Sequence, residues 1–272
     1  PDFMAHFEVI PDHLPERLQA LLAQFPPGTL QLEVGIQTFN VEVQKRISRK
    51  QDNARTQAHL RWLAQQSSAH LHADLIFGLP GETLESFGQG FDTLWSLGPH
   101  EIQVGILKRL RGTPIARHTE AWGMVYDGEP PYTVQSTAAV SAQTMQAFTR
   151  FARYWDLVAN SGRFARTLPL LLGDSPFQNF WLFSQWLWAQ HEKTVGWSPD
   201  ALVDALYDFL VDQRGMASEP VRAALLADYG ASGAHVQPKV LQGLLPPVDK
   251  SRQTRRHGPQ RQQRHVDGGA IS

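Results

Sequence analysis

The stretch that decides the fold reads Gln31-Leu32-Glu33-Val34-Gly35-Ile36-Gln37-Thr38-Phe39-Asn40, and it is echoed by Asp74-Leu75-Ile76-Phe77-Gly78-Leu79-Pro80-Gly81-Glu82-Thr83. In the first stretch, apolar residues alternate with polar residues or glycine, and this period of two predicts a strand with one apolar face. Helices that cover a parallel sheet pack on its apolar face, so Glu33 and Gln37 are expected to point into a barrel or cleft. Ligands bind at the carboxyl ends of strands in such folds, and the functional site is predicted there.

Composition is that of a globular protein with no strong electrostatic preference for a partner. The 272 residues are 42% hydrophobic and 19% charged, which suits one large or two modest domains. The formal net charge of -1 favours neither nucleic acid nor a membrane as a partner. No apolar run approaches the roughly 20 residues that span a bilayer, and the first residues show no secretory signal pattern. A cytoplasmic location is therefore the expectation.

The chain contains no cysteine. This excludes disulfides, thiolate nucleophiles, zinc held by sulfur, and any iron–sulfur cluster ligated by cysteines of these residues. Residue 1 is Pro and not Met, and the sequence opens on a strand-like segment. The chain is therefore interpreted as a fragment of a longer protein or as a gene product that lacks its start.

Strands and helices alternate through the first half of the chain. Strands are predicted at Ala5 to Val9, Leu30 to Gln37, His70 to Gly78 and Glu101 to Leu107. Helices are predicted at Leu14 to Phe25, from Asn40 onward, at Asn53 to Gln66 and at Leu84 to Leu97, with Asn40 and Thr83 as N-caps. Right-handed crossovers make such a series a parallel sheet, and four strands form an incomplete barrel.

The second half is predicted to be helical. A turn-rich linker, Asp127 to Tyr132, follows the last strand, and helical spacing extends from about Ser136 to Tyr229. The aromatic segment Phe177 to Gln190 is interpreted as the core of a helical domain. The end of the chain is polar and basic, and it is predicted to be disordered. The predicted division is residues 1–118 for the barrel part, 119–232 for the helical domain and 233–272 for the tail.

Four polar residues are expected to converge near the carboxyl ends of the strands: Glu8, Gln37, Arg49 and Asp74. A carboxylate at such a position suits bidentate hydrogen bonding to ribose hydroxyls, and Arg49 suits a ligand carboxylate, whose geometry a guanidinium matches. The alternative is a structural ion-pair network inside a barrel, because such networks mimic functional sites. Spacing alone leaves both interpretations open.

Two further patterns carry weaker predictions. Gly78-Leu79-Pro80-Gly81 predicts a tight strand-to-helix turn whose glycines also let a ligand approach the backbone, and it lacks the Gly-Lys-Ser/Thr ending of a phosphate-binding loop. His6, His70 and His72 lie on two predicted strands, and no local spacing fixes a complete ligand set. No metal site is predicted in this chain.

The same residues carry a family resemblance. The segments 33–40, 43–52 and 74–83 resemble the second half of a radical S-adenosylmethionine (SAM) barrel, in the branch that includes oxygen-independent coproporphyrinogen oxidase. The segments 107–113, 130–132 and 160–164 resemble later motifs of B12-binding-domain radical SAM proteins with a DUF4080-like C-terminal helical domain. The resemblance covers about residues 5 to 190.

The resemblance implies an α/β fold: a partial (β/α) radical SAM-type barrel made of the last strands only, followed by an all-α domain and a disordered tail. It implies SAM contacts at Glu8, Gln37, Arg49 and Asp74, with the adenine bordered by Ile76, Gly78 and Leu107. It also implies a [4Fe-4S] cluster, whose electron cleaves SAM to a 5′-deoxyadenosyl radical, and it allows cobalamin as a further cofactor. The cysteine loop of the family is absent, so the cluster ligands would lie upstream of Pro1 and this chain alone would be inactive.

Two alternatives remain open at this point. The chain could be a non-catalytic module that binds SAM or another nucleotide, or an interaction domain on a degenerate barrel. A small-molecule or peptide substrate fits the leading interpretation, but nothing in the helical half indicates the reaction. Neither a membrane nor nucleic acid is expected as a partner. A Cys-x3-Cys-x2-Cys motif upstream of Pro1 would favour the enzyme.

Overall fold

The structure is a computed structural model of the chain, and it describes residues 3–231 and 236–244. It contains two compact units, which divide between Ala152 and Arg153, inside one helix. The boundary predicted near residue 118 lies earlier than this division. Residues beyond 118 pack on the sheet of the first unit: Phe148 stacks on Phe77, with ring centroids 3.8 Å apart.

A four-stranded parallel sheet forms the centre of the first unit. Its strands, in the same order in sequence and in space, are β1 (Ala5–Val9), β2 (Leu30–Gln37), β3 (His70–Phe77) and β4 (Glu101–Ile106). All three neighbouring pairs run parallel, which confirms the predicted α/β class. β1 and β2 have the predicted bounds, and β3 and β4 each end one residue earlier than predicted.

The two faces of β2 differ as the alternation predicted. Leu32, Val34 and Ile36 are at most 1% exposed, whereas Glu33 and Gln37 on the other face are only partly buried. Strand β3 continues the apolar face with residues that are also at most 1% exposed: Leu71, Ala73, Leu75 and Phe77. Burying one large apolar side chain contributes roughly 1.5–3 kcal/mol, so this face is a principal source of stability for the first unit.

The helices between these strands are α1 (Glu16–Leu22), α2 (Val41–Arg46), α3 (Asn53–Gln66) and α4 (Leu84–Trp95). Both predicted N-caps are confirmed. The Asn40 side chain accepts hydrogen bonds from the first turn of α2, and the Thr83 hydroxyl accepts one from the first turn of α4. These two caps fix where the chain leaves β2 and β3 and turns into a helix.

Helix α1 is shorter than the predicted Leu14 to Phe25. Pro15 at its N-cap makes no capping hydrogen bond, and Leu18 and Leu21 are 37% and 52% exposed. Only part of the apolar stripe is therefore packed, and the helix ends at Leu22. Helix α4 ends at Trp95, two residues before the predicted end.

A short β-hairpin lies where a turn-rich linker was predicted. Its strands, β5 (Val125–Tyr126) and β6 (Val134–Ser136), pair antiparallel, and the predicted linker is the connection between them. A 3₁₀ helix, Pro114–His118, precedes the hairpin. Strands of two and three residues leave no alternation to read, so the sequence did not predict them.

Helices build the second unit. After α5 (Ala142–Val158), in which the units divide, come α6 (Thr167–Leu172), α7 (Pro176–His191), α8 (Pro199–Tyr207), a π-helical segment (Asp208–Gln213), α9 (Ser218–Ala231) and a 3₁₀ helix (Lys239–Leu241). The aromatic helix α7 is a core element, as predicted, because Phe180 and Phe183 are fully buried. Phe183 also lies edge-on to Phe209, with ring centroids 5.2 Å apart.

The predicted disordered tail, residues 233–272, falls outside the described residues except for 236–244. In residues 3–231 and 236–244, none of the helices combines the length and the apolar character needed to cross a membrane.

Candidate functional site

A pocket of about 500 Å³ opens near the carboxyl ends of β1 and β2. Its walls come from the end of β1 and the turn after it, from the polar faces of β2 and β3, and from the segment after α2. The residues that line it are Glu8, Val9, Ile10, Pro11, Asp12, Glu33, Gly35, Gln37, Arg49, Lys50, Gln51 and Asp74. The position agrees with the general rule that ligands bind at the carboxyl ends of parallel strands.

Four of the seven residues predicted to bind the cofactor line this pocket: Glu8, Gln37, Arg49 and Asp74. The strand register brings the carboxylates together, because Glu8 is opposite Glu33 and Asp74 is opposite Gly35. Neighbouring parallel strands lie about 4.8 Å apart, so side chains on one face at these positions are neighbours. Their role in binding SAM stays a prediction.

The remaining three residues, predicted to border the adenine, are not among the described residues that line the pocket: Ile76, Gly78 and Leu107. Gly78 has a φ of 88° and packs closely against the hairpin, since a Cβ there would lie 2.6 Å from Val134 Cγ1. The same Cβ would lie 3.8 Å from Leu107 Cβ. Gly78 and Leu107 thus pack against other residues of the first unit.

Gln37 is held in a conformation that only its surroundings can maintain. Its φ of 68° is in the left-handed region, which costs a residue other than glycine on the order of 1 kcal/mol or more. The register of β2 against β3 shifts between Gly35 and Gln37. The side-chain amide lies over Gly35, where a Cβ would come within 2.9 Å of Nε2. Gly35 therefore gives this side chain its space.

The oxygen of the Gln37 amide is an acceptor without a donor. Gln37 Oε1 is buried, and no described residue donates a hydrogen bond to it. A buried polar group costs free energy when it is left unpaired, so an orphaned acceptor in a pocket wall is a position for a donor of a ligand.

Arg49 is fixed by the backbone around it. Its Nη2 donates to the carbonyl of Gly35, and its Nε donates to Gln51 Oε1 at 2.8 Å. Its backbone N–H donates to the carbonyl of Gln44 at 2.8 Å. Burial lowers the pKa of Arg49 and Asp12 opposes this effect, but a guanidinium keeps its charge inside a protein. Arg49 is therefore a fixed cation at the pocket.

Carboxyl groups from three neighbouring strands face the same pocket: Glu8, Glu33 and Asp74. Burial, followed by the neighbouring Glu33 and then Glu8, raises the pKa of Asp74 to about 7. Asp74 Oδ1 is buried and makes no hydrogen bond within the described residues, and His72 Nε2 lies 3.8 Å from it. Glu33 was predicted to face a cleft but was not assigned to the site. Glu33 and Gln37 lie an even number of positions apart on β2 and therefore share a face, and this spacing could have assigned Glu33 to the site.

The histidines considered for a metal site lie beside separate carboxylates. His6 Nε2 is 3.3 Å from Glu33 Oε2, and His70 Nε2 is 3.0 Å from the buried Glu101 Oε1. Across the part of the chain that the structure describes, no group of three or more histidine, aspartate or glutamate residues could hold a metal ion.

The second half of the chain matches a known family. Residues 120–263, more than half of the chain, match the family described as a protein of unknown function (DUF4080). The chain belongs to the DUF4080 family. The match includes the β-hairpin and the helices of the second unit. The pocket residues precede the matched segment, so the DUF4080 match does not itself assign the pocket.

Curated relatives add similarity to enzymes. The chain is 29% identical over 105 residues to anaerobilin synthase of Escherichia coli O157:H7, covering 39% of the chain and 23% of the enzyme. It is 33% identical over 98 residues to oxygen-independent coproporphyrinogen III oxidase of Helicobacter pylori strain J99, covering 36% of the chain and 21% of the enzyme. The chain therefore matches less than a quarter of the length of either relative.

Among solved structures, the coproporphyrinogen III oxidase of Escherichia coli, a radical SAM enzyme, aligns with 87% of this chain and 67% of its own. The identity is 17% and the TM-score is 0.43. The fold is therefore assigned from the observed sheet and helices and not from this likeness. The curated relatives of this DUF4080 protein are thus enzymes named anaerobilin synthase and oxygen-independent coproporphyrinogen III oxidase.

Proposed function

We propose that the pocket binds S-adenosylmethionine and that this chain supplies part of the SAM site of a radical SAM enzyme. The observation that carries the proposal is the convergence of Glu8, Gln37, Arg49 and Asp74 on one pocket. Two acceptor atoms there, Gln37 Oε1 and Asp74 Oδ1, are buried and lack a donor among the described residues. A structural ion-pair network would satisfy its own groups, whereas these two atoms are left for something else.

The chemical groups of SAM match the pocket one by one. Arg49 offers a guanidinium to the methionine carboxylate, and Gln37 Oε1 can accept from the ammonium group. Asp74 and Glu8 can accept from the ribose hydroxyls, and the carboxylates together favour the positive sulfonium. The volume of about 500 Å³ falls within the range of roughly 300–1,000 Å³ that is usual for small-molecule sites.

The residues of this chain do not fit an iron–sulfur cluster. A [4Fe-4S] cluster needs thiolate ligands, and the chain has no cysteine. In the proposed enzyme the cluster would supply the electron that starts radical chemistry, and its ligands would come from outside these 272 residues. The cobalamin that the resemblance allows stays a prediction, since no residue of the pocket is assigned to it. What this chain contributes is binding and orientation of SAM.

The second candidate is a SAM-binding module without catalysis. The absence of cysteine from the chain favours it, because binding needs only the pocket residues whereas chemistry needs the cluster. The two candidates make the same prediction for ligand binding. They differ in whether an anaerobic mixture with iron, sulfide and reductant, supplied with a cluster-bearing polypeptide, forms 5′-deoxyadenosine from SAM.

Calorimetric titration of the chain with SAM tests the proposed binding. SAM should bind with a stoichiometry of one, and decarboxylated SAM should bind roughly tenfold or more weakly, because it lacks the group that Arg49 holds. Adenosine alone should bind more weakly still. Equal affinities for SAM and decarboxylated SAM, or no binding of SAM at millimolar concentration, would overturn the assignment.

A further inference from the structure

The segments that follow β2 and β3 are hydrogen-bonded to each other, through the loop after each strand and the first turn of α4. Thr38 Oγ1, just after β2, donates to Glu82 Oε1 at 2.5 Å, and Asn40 Nδ2 donates to Ser86 Oγ at 2.7 Å. These four residues, Thr38, Asn40, Glu82 and Ser86, are called the clasp. None of the four lines the pocket. The clasp therefore acts on the pocket only through residues that it holds.

Thr38 makes hydrogen bonds with every polar group it has. Its N–H donates to the carbonyl of Ile36 at 2.9 Å, and its carbonyl accepts from Gln44 Nε2 at 2.8 Å. Its hydroxyl oxygen accepts from the backbone N–H of Asn40 at 3.0 Å. The single hydroxyl hydrogen is then left for Glu82, so the carboxyl group is the acceptor in this contact.

The clasp is connected to two pocket residues, to Gln37 through the backbone and to Arg49 through Gln44. Gln37 directly precedes Thr38 and has a left-handed backbone, a conformation that persists only where the surroundings determine it from several sides. Gln44 accepts from the N–H of Arg49 through its carbonyl and donates to the carbonyl of Thr38 through its side chain. A displacement of Thr38 would therefore reach both Gln37 and Arg49.

Glu82 is an unfavourable residue for a merely structural contact. It is 1% exposed, and within the described residues its Oε2 has no hydrogen-bond partner. Burial raises the pKa of Glu82 to about 7, against the opposing hydrogen bond from Thr38. A buried carboxyl group with one unpaired oxygen lowers the stability of the fold. The presence of Glu82 in the clasp therefore indicates a role beyond holding the fold together.

We infer that Glu82 is a positioning residue of the pocket: by holding Thr38 it keeps the backbone of Gln37, and through Gln44 the segment of Arg49, in the geometry that binds the ligand. The inference rests on the proposed function for its ligand, SAM, but not for the clasp itself. Two measurements therefore test the inference: one follows the clasp without ligand, and the other follows the binding of SAM.

The measurement without ligand is hydrogen exchange on the full chain. Glu82→Ala should speed exchange of the Thr38 and Asn40 amides at least tenfold, because the contact that fixes the Thr38 hydroxyl is lost. Glu82→Gln should restore slow exchange, since its amide oxygen can still accept from Thr38. The control is Phe91→Leu, a fully buried change on α4, the helix that carries Ser86, at a residue outside the clasp. Equal acceleration in Phe91→Leu and Glu82→Ala would overturn the inference.

The measurement with ligand is calorimetric titration of SAM into the same proteins. Glu82→Ala should bind about tenfold more weakly than the original chain, and Glu82→Gln should recover most of that loss. Phe91→Leu should keep the original affinity even where its melting temperature falls as far as that of Glu82→Ala. Affinity that follows melting temperature across all three variants would mean a structural role only, and would overturn the inference.

The design distinguishes failure of the proposed function from failure of the inference about Glu82. If the original chain does not bind SAM, the proposed function fails, and the exchange data alone decide whether Glu82 orders the segment that carries Gln37. If Glu82→Ala does not fold, Thr38→Val removes the same hydrogen bond from the other side with little change in volume. Because Thr38→Val also removes the acceptor of the Asn40 N–H, exchange is read at the residue 38 amide, which donates to Ile36. Thr38→Val should show the same faster exchange there and the same weaker binding, and its failure to do so contradicts the inference.

Discussion

Buried carboxyl groups have different surroundings in the two units. Asp228 on α9 is 6% exposed and accepts from the N–H of Arg166, the N–H of Thr167 and the hydroxyl of Thr167, at 3.0, 2.9 and 2.7 Å. In the first unit, Asp74 Oδ1 and Glu82 Oε2 receive no hydrogen bond from any described residue. Both oxygens of Asp228 are hydrogen-bonded, whereas one oxygen of the buried Glu82 and one of the half-buried Asp74 are not, within the described residues. The first unit also contains a satisfied buried carboxyl group, Glu101, which is paired with His70.

The electrostatics follow the same division. Burial raises the pKa of Asp228, but the hydrogen bonds from Thr167 and Arg166 lower it again. For Asp74 the neighbours Glu33 and Glu8 add to the effect of burial. A satisfied carboxyl group stabilises its fold, whereas an unsatisfied one costs stability and is expected where a ligand binds or a functional segment is held. The difference agrees with the proposed binding role of the residues beside the sheet and with a structural role for Asp228.

The largest expected effect belongs to Asp228→Ala. The change leaves the buried N–H and hydroxyl of Thr167 and the partly buried N–H of Arg166 without an acceptor, and we expect it to destabilise the second unit by about 4 kcal/mol. Urea unfolding followed by tryptophan fluorescence measures this loss. SAM affinity at low temperature should not change, because Asp228 lies outside the pocket. If the unfolding free energy falls by less than about 1 kcal/mol, the hydrogen bonds of Asp228 do not stabilise the second unit and the two units do not differ in this respect.

The next effect is a dependence of stability on pH. Glu82 has a pKa of about 7 in the folded chain against an ordinary value of 4.5, so the folded state holds a proton that the unfolded state releases between these values. Stability should therefore fall as the pH rises from about 4.5 to about 7, by up to about 3 kcal/mol from Glu82, and should level off above that. Asp74, with its raised pKa, adds a change of the same sign.

Glu82→Gln isolates the contribution of Glu82, because its side chain does not titrate. Its unfolding free energy should fall less steeply over this pH range than that of the original chain, and Asp74→Asn should remove the other part. The two variants together should flatten the profile but not abolish its slope, because burial also raises the pKa of Asp228 and Asp208 and lowers the pKa of His118 and His191. Profiles that keep the original slope in both variants would show that neither carboxyl group is protonated in the fold.

The residues of this comparison show what a sequence can and cannot predict. The strand Leu30 to Gln37 and the convergence of Gln37 with Asp74 were predictable, because alternation and strand ends depend on near neighbours in the chain. The bond from Thr38 to Glu82 spans 44 positions, and the bond from Thr167 to Asp228 spans 61. No local pattern encodes such pairs. The left-handed backbone of Gln37 is likewise imposed by tertiary contacts, against its intrinsic preference.

A smaller effect is expected for Arg49 in ligand binding. Arg49→Ala removes a charge-assisted contact to the SAM carboxylate and should weaken binding by about 2 kcal/mol, or roughly thirtyfold. Arg49→Lys, the matched control, keeps the charge but loses the planar fork, so it should recover only part of the affinity. Calorimetric titration with thermal melts of both variants distinguishes this from a structural role. Normal SAM affinity in a destabilised Arg49→Ala protein would assign Arg49 to the fold alone.

The smallest expected effect tests whether the strand carboxylates act on one another. Glu33 is the second cause of the raised pKa of Asp74, after burial, and Glu8 is a lesser one. Glu33→Gln should therefore lower the pKa of Asp74 by roughly one unit, about 1.4 kcal/mol, and leave it above the ordinary value of 3.8 because burial remains. Titration of the Asp74 side-chain carboxyl carbon by NMR measures the shift.

Two internal controls accompany that titration. Glu8→Gln should shift the pKa of Asp74 in the same direction by a smaller amount, since Glu8 is the weaker neighbour. The pKa of Glu82 should stay near 7 in both variants, because its causes are burial and Thr38 and include neither glutamate. If Glu33→Gln leaves Asp74 unchanged, burial alone raises its pKa, and the carboxylates of β1, β2 and β3 are then neighbours without being an electrostatic unit. A shift shared by Asp74 and Glu82 would instead reveal a rearrangement of the whole carboxyl end of the sheet.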